Sequence, residues 1–186
     1  MLSEIKKISS LLLSVAFSSI GFIASITVTV LAAREVSSNP LFVGFPNAVG
    51  VGGAVLGTRM IYLISKNNSQ LNALAFTFLI GAFGGAIMFY SLIVDSFVML
   101  LFGAFILGIG QSATLQTRYA ASFVASEKFK ATALSLAVWF SVFGSVFGPR
   151  MVGSYSNFFE NIFNSELIVG YVIALVGMLF AASSLF

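Results

Sequence analysis

The sequence predicts an all-α membrane protein of six transmembrane helices, read as one domain over residues 1–186. Three observations lead there. Hydrophobic residues make up 59% of the chain and charged residues only 8%, against about 25% charged in an ordinary soluble domain. The apolar residues fall into runs near the ~20 residues that a helix needs to cross a bilayer. Lipid offers no partner to a bare backbone, so runs of this kind have to be helical.

The spans follow from the charges, Asn/Ser clusters and prolines that interrupt the runs. Span 1 covers 11–33, behind Lys6 and Lys7. At about 22 residues it is too long for a signal-peptide core, and five more runs follow it. Arg34-Glu35-Val36-Ser37-Ser38-Asn39-Pro40 ends it, and span 2 covers 41–64. Lys66-Asn67-Asn68-Ser69-Gln70 separates span 2 from span 3 at 71–94, and Asp95 separates span 3 from span 4 at 97–124. Ser126 to Lys130 precedes span 5 at 131–153, and the polar stretch from Ser154 to Glu166 precedes span 6 at 167–186. Short connections predict that sequential helices are antiparallel neighbours. Pro46 is predicted to free a carbonyl and kink span 2 beside Asn47.

Lys6, Lys7, Lys66, Lys128 and Lys130 fall on one side of this arrangement, with Arg118 near it, while Arg34 lies opposite and Arg150 near that face. The excess of basic residues in short loops marks the cytoplasmic side. Both termini are therefore expected in the cytoplasm, with the chain a multi-pass protein of the plasma membrane. Glu35 and Asp95 read as loop residues on the outer side, with Glu160 and Glu166. The first three spans start inside and the next three outside, which is the layout of two inverted three-helix repeats.

The same inventory narrows the chemistry. There are no cysteines and no histidines, so disulfides, thiol catalysis, zinc clusters and imidazole acid–base pairs are not expected. No metal or other cofactor is expected either. The basic residues are scattered, and no nucleic-acid partner is expected. No Asp or Glu lies deep in a span, so no acid and base can be paired for an enzyme reaction there.

Two residue patterns remain. Of 17 glycines, Gly53 and Gly57, Gly81 and Gly85, and Gly144 and Gly148 sit four apart inside spans, a spacing that lets helix backbones approach closely. Gly53, Gly57, Gly144, Gly148 and the adjoining Pro149 are the expected packing and hinge positions, lacking a Cβ or an N–H. The second pattern is polar. Ser14, Ser18, Ser25 and Thr29 share one face of span 1, and Gln111, Thr114 and Arg118 share one face of span 4. Each hydroxyl could instead bond back to its own helix. Arg118 lies about six residues from the end of its span and could snorkel to the interface. Ser18, Ser25, Asn47, Arg59, Gln111, Thr114 and Arg118 are the candidate cavity residues, because charge and polarity at membrane depth cost about 2.5–3.5 kcal/mol per charged side chain.

The segment Gly144-Ser-Val-Phe-Gly148-Pro149-Arg-Met-Val-Gly153 fits G-x-x-x-G-P-x-x-G-G at every place but Val152. It resembles the fifth-helix motif of the major facilitator superfamily, where that motif accompanies proton-coupled exporters. Gly108-Ile-Gly110 with Arg118-Tyr119-Ala120-Ala121 resembles the superfamily's fourth helix, and Ala131 to Trp139 the start of its fifth. The likeness is sharp over about fifty residues and loose elsewhere. Other motifs depart: Ile61, Tyr62 and Ile64 stand where the second-to-third loop carries Asp, a basic residue and Gly, and only Lys66 matches. Ala104 stands at the fourth-helix arginine, Phe123 at a later Asp and Ser126 at a Pro. The resemblance implies the N-terminal half of a twelve-helix transporter, whose first and fourth helices line a central cavity. It further implies a small-molecule substrate and a second six-helix half, from a homodimer or a separate gene. The function implied is movement of a solute by alternating access, of exporter or antiporter type; the alternative is a truncated or non-transporting membrane protein.

Overall fold

A computed structural model describes residues 2–37, 39–163 and 165–186, with side chains from Lys7 onward. Ser38 and Asn164, within two of the expected breaks, and the side chain of Lys6 lie outside the described residues. Six α-helices carry the described chain: α1 (Leu2–Val36), α2 (Phe45–Asn67), α3 (Gln70–Ile93), α4 (Phe97–Val124), α5 (Lys130–Phe163) and α6 (Ile168–Ser183). Short 3₁₀ turns at Pro40–Phe42 and Glu127–Phe129 precede α2 and α5.

Local chemistry sets most boundaries. Ser69 and Ser96 cap α3 and α4, their hydroxyls accepting from the N–H groups of Asn72 (3.2 Å) and Met99 (3.4 Å), which satisfies donors a helix start leaves free. The α3–α4 turn needs one left-handed residue, and Asp95 supplies it at φ 48°; short polar side chains tolerate that conformation better than most. Pro46 sits in the first turn of α2, where its missing N–H has no intrahelical partner to lose. The kink expected beside Asn47 is thus replaced by a helix start.

Two boundaries differ more widely from the sequence reading. The stretch expected as a loop from Ser154 is helical to Phe163; polar residues alone do not stop a helix, and residues 154–163 contain no Gly or Pro to do so. Glu35 lies in the last turn of α1. Five segments are long and apolar enough to cross a bilayer: Lys7–Val36, Pro40–Asn67, Gln70–Ile93, Phe97–Val124 and Glu127–Phe163. The apolar α6 has 16 residues, roughly 24 Å at 1.5 Å per residue, short of a ~30 Å hydrocarbon core.

Helix pairing is largely not sequential. α1 and α4 touch at the centre, α1 packs chiefly on α5 and α6, α4 packs chiefly on α3 and α2, and α3 packs on α6. Only α3 and α4 are both sequential and principal partners. The reason lies in the small residues. A Cβ on Gly53 would meet the Phe105 carbonyl, and one on Gly57 the backbone of Ile109 and Ser112 Oγ, so α2 is drawn against α4. A Cβ on Gly144 would meet Ser19, and one on Gly148 Ala24 and Ile20, so α5 is drawn against α1. Apart from Pro46, α2 buries only Gly53, Gly57 and Ile61; α5 buries only Ala133, Ala137, Gly144 and Gly148. The rest of these two helices is half-buried or exposed, and most of the core belongs to α1, α3, α4 and α6.

Candidate functional site

Two cavities open between the central helices, and Phe22 and Gln111 line both. The first, about 250 Å³, lies between α1, α2 and α4, where Ser25 and Thr29 face Asn47, Gly50, Ala104 and Gln111. The second, about 280 Å³, lies between α1, α4 and α5, where Ser19 faces Gln111, Thr114, Arg118, Ser141 and Ser145. Close packing at glycine sets their walls. A Cβ on Gly108 would strike the Gly50 carbonyl, which fixes how near α2 lies to α4 beside the first cavity.

The seven candidate cavity residues separate in space. Ser25, Asn47 and Gln111 line the first cavity, and Gln111, Thr114 and Arg118 line the second. Ser18 is fully buried, donates to the Val15 carbonyl (3.3 Å) and lines neither. Arg59 is exposed and lines neither; it lies nearly opposite the Gly53–Gly57 stripe that faces α4. The packing and hinge candidates Gly53, Gly57, Gly144 and Gly148 are buried at the α2–α4 and α1–α5 crossings, and Pro149 is exposed inside α5.

Most buried hydroxyls of α1 are spoken for. Ser25 donates to the Phe22 carbonyl (2.7 Å) and Thr29 to the Ser25 carbonyl (2.7 Å). Ser14 Oγ lies within reach of its own helix at the Ser10 carbonyl (2.9 Å) and of α6 at the Ala181 carbonyl (3.1 Å) and Ser184 Oγ (2.6 Å). The second cavity is different. Ser19 Oγ, Thr114 Oγ1 and Arg118 Nε are buried without a hydrogen-bond partner, three of the five such side-chain atoms among the described residues. Buried polar groups are almost always paired, so three unpaired ones around one chamber leave donors and acceptors there for water or a solute. No Asp or Glu lines either cavity among the described residues.

Sequence reasoning missed Ser19, Ser141 and Ser145. Ser19 follows Ser18 and lies 100° round the helix from it, off the stripe that was traced. Ser141 and Ser145 are four apart on α5 beside Gly144, a polar pair legible in the sequence but hidden behind the glycine motif.

Long apolar helices joined at small residues make this an all-helical chain of multi-pass membrane type. The chain is 29% identical over 174 residues to the uncharacterized MFS-type transporter YdeG of Bacillus subtilis (strain 168), covering 94% of this chain and 40% of that protein. It is 31% identical over 157 residues to the uncharacterized MFS-type transporter YddS of the same organism, covering 84% of this chain and 36% of that protein. The chain belongs to the major facilitator superfamily, and its helical arrangement fits one half of that fold. It spans about two fifths of the length of these curated relatives. No family model and no solved structure matches it.

Proposed function

We propose that this chain acts as the N-terminal six-helix half of a secondary transporter, moving a small solute by alternating access against a second six-helix unit. The observation that carries the reading is the pair of cavities that share Phe22 and Gln111 in their linings, walled by the central α1 and α4 and the peripheral α2 and α5. Exchanging α1 with α4, α2 with α5 and α3 with α6 turns the α1–α5 and α1–α6 packings into α4–α2 and α4–α3, and returns α1–α4 and α3–α6 to themselves. That equivalence supports two inverted repeats, the arrangement on which rocking mechanisms rest. The exposed apolar faces of α2 (Val51, Val55, Tyr62) and α5 (Trp139, Val146) offer surface for lipid and for a second half, supplied by another copy or a separate gene. The fifth-helix glycine and proline motif supports an exporter or antiporter type. In this reading all six helices cross the plasma membrane, the short α6 through local thinning of the bilayer, and both termini lie in the cytoplasm.

The chain lacks cysteine, so single cysteines report accessibility without background. Ser25→Cys in the first cavity and Ser145→Cys in the second are each expected to react with an impermeant thiol reagent from both faces of oriented vesicles. Strictly one-sided labelling of both would refute alternating access. Mass measurement of the purified assembly in nanodiscs tests the second unit, and a stable monomer would count against it.

A further inference from the structure

The second cavity has a charge character that identifies its occupant. Arg118 is partly buried, its Nε faces no acceptor, and no carboxylate pairs with it among the described residues. Thr114 and Ser19 are 3% and 4% exposed, and each carries an unpartnered hydroxyl on the same chamber. Water could satisfy the two hydroxyls but would bring no counter-charge to the half-buried guanidinium, which has no carboxylate beside it among the described residues. With no acid on either wall, a cationic solute meets only repulsion. A neutral polyol could pair with the hydroxyls and accept from the Arg118 Nε–H, but would bring no counter-charge to the guanidinium. An oxyanion satisfies all three, since guanidinium N–H groups bond planar carboxylates with charge assistance. The remaining lining mixes apolar Phe22, Ile23, Leu115 and Val142 with neutral Gln111, Ser141 and Ser145, which suits a small body of mixed polarity behind the anionic head.

We infer that the solute is a small organic anion, held head-first by Arg118 with the hydroxyls of Thr114 and Ser19. This deepens the transporter reading of the same site and rests on it. Arg118 and Thr114 lie one turn apart on α4, and Ser19 stands across from them on α1, locked there by the close approach of Gly144.

The test uses the full chain purified into phosphatidylcholine nanodiscs, with the fluorescence of Trp139, the sole tryptophan, followed through thermal unfolding. The probes are benzoate, glucose and tetraphenylphosphonium. Benzoate alone should raise the midpoint in a saturable way. Its apparent affinity should fall at least tenfold in Arg118→Gln and severalfold in Thr114→Val and Ser19→Ala, while Lys66→Gln matches the parent. Should Arg118→Gln not fold, the two hydroxyl variants carry the test. The inference is overturned by stabilisation from glucose or the cation instead of benzoate, or by benzoate binding that no variant weakens. Absence of any benzoate effect also overturns it and points to a carboxylate of the second half as the partner of Arg118. Suppression of the benzoate effect by phosphatidylglycerol would overturn it by assigning the site to a lipid headgroup. Benzoate selectivity without two-sided cysteine labelling would remove the transport reading and leave the anion site. Two-sided labelling without benzoate selectivity would do the reverse.

Discussion

Gly144→Ala adds one methyl group where α5 crosses α1, and its cost can be worked from the packing. The new Cβ would lie 2.5 Å from Ser19 Cβ and 2.6 Å from the Ser19 carbonyl carbon. Carbon atoms in contact rest at about 3.5–4.0 Å, so α5 has to retreat by roughly 1–1.5 Å or α1 has to shift by as much. Overpacking of this kind costs about 1–3 kcal/mol. Replacing a helical glycine by alanine returns up to about 1 kcal/mol of helix propensity, which blurs the single measurement. Gly153→Ala on the same helix removes the blur, because nothing lies within 4 Å of a Cβ there. The expected difference between the two variants is therefore the packing term, about 1–3 kcal/mol, or roughly 5- to 150-fold in the unfolding equilibrium. Unfolding by SDS in mixed micelles, followed by far-UV ellipticity, measures it. Equal stability of the two variants would refute the close approach of α5 to α1. Because Ser19, Ser141 and Ser145 share the second cavity, Gly144→Ala should also weaken benzoate binding while Gly153→Ala should not.

Further expectations follow from other parts of the fold. Pro149 lies inside α5 and leaves the Ser145 carbonyl without its usual N–H donor; Pro149→Ala should raise stability measurably in SDS titration and slow two-sided labelling of Ser25→Cys. Ser14→Ala removes the α1–α6 hydroxyl link to the Ala181 carbonyl and Ser184 and should cost about 0.6–1.7 kcal/mol in the same assay, whereas exposed Ser10→Ala should cost less. Impermeant reagent should label Asp95→Cys from outside intact cells and Lys128→Cys only after permeabilisation; the opposite pattern would invert the orientation read from the basic loops.

The sequence by itself determined that the chain is helical and made for a membrane, because run length and backbone chemistry in lipid leave no other solution. The breaks at Lys66 to Gln70 and at Asp95 were equally legible as polar interruptions, while the caps at Ser69 and Ser96 and the left-handed turn at Asp95 came from the structure. The family was legible too, through the run from Gly144 to Gly153. Helical period located polar faces, and on α4 that sufficed: Gln111, Thr114 and Arg118 share the second cavity. It could not distinguish Arg118 from Arg59, or Ser19 from Ser18, because period gives a face but not what stands opposite it. Lipid and helix interior are alike apolar, so hydrophobicity carries no mark of which side of α2 or α5 meets the protein. Only the tertiary packing decided that, through glycines that let α2 close on α4 and α5 close on α1. The same closure left three polar atoms facing one chamber with no partner.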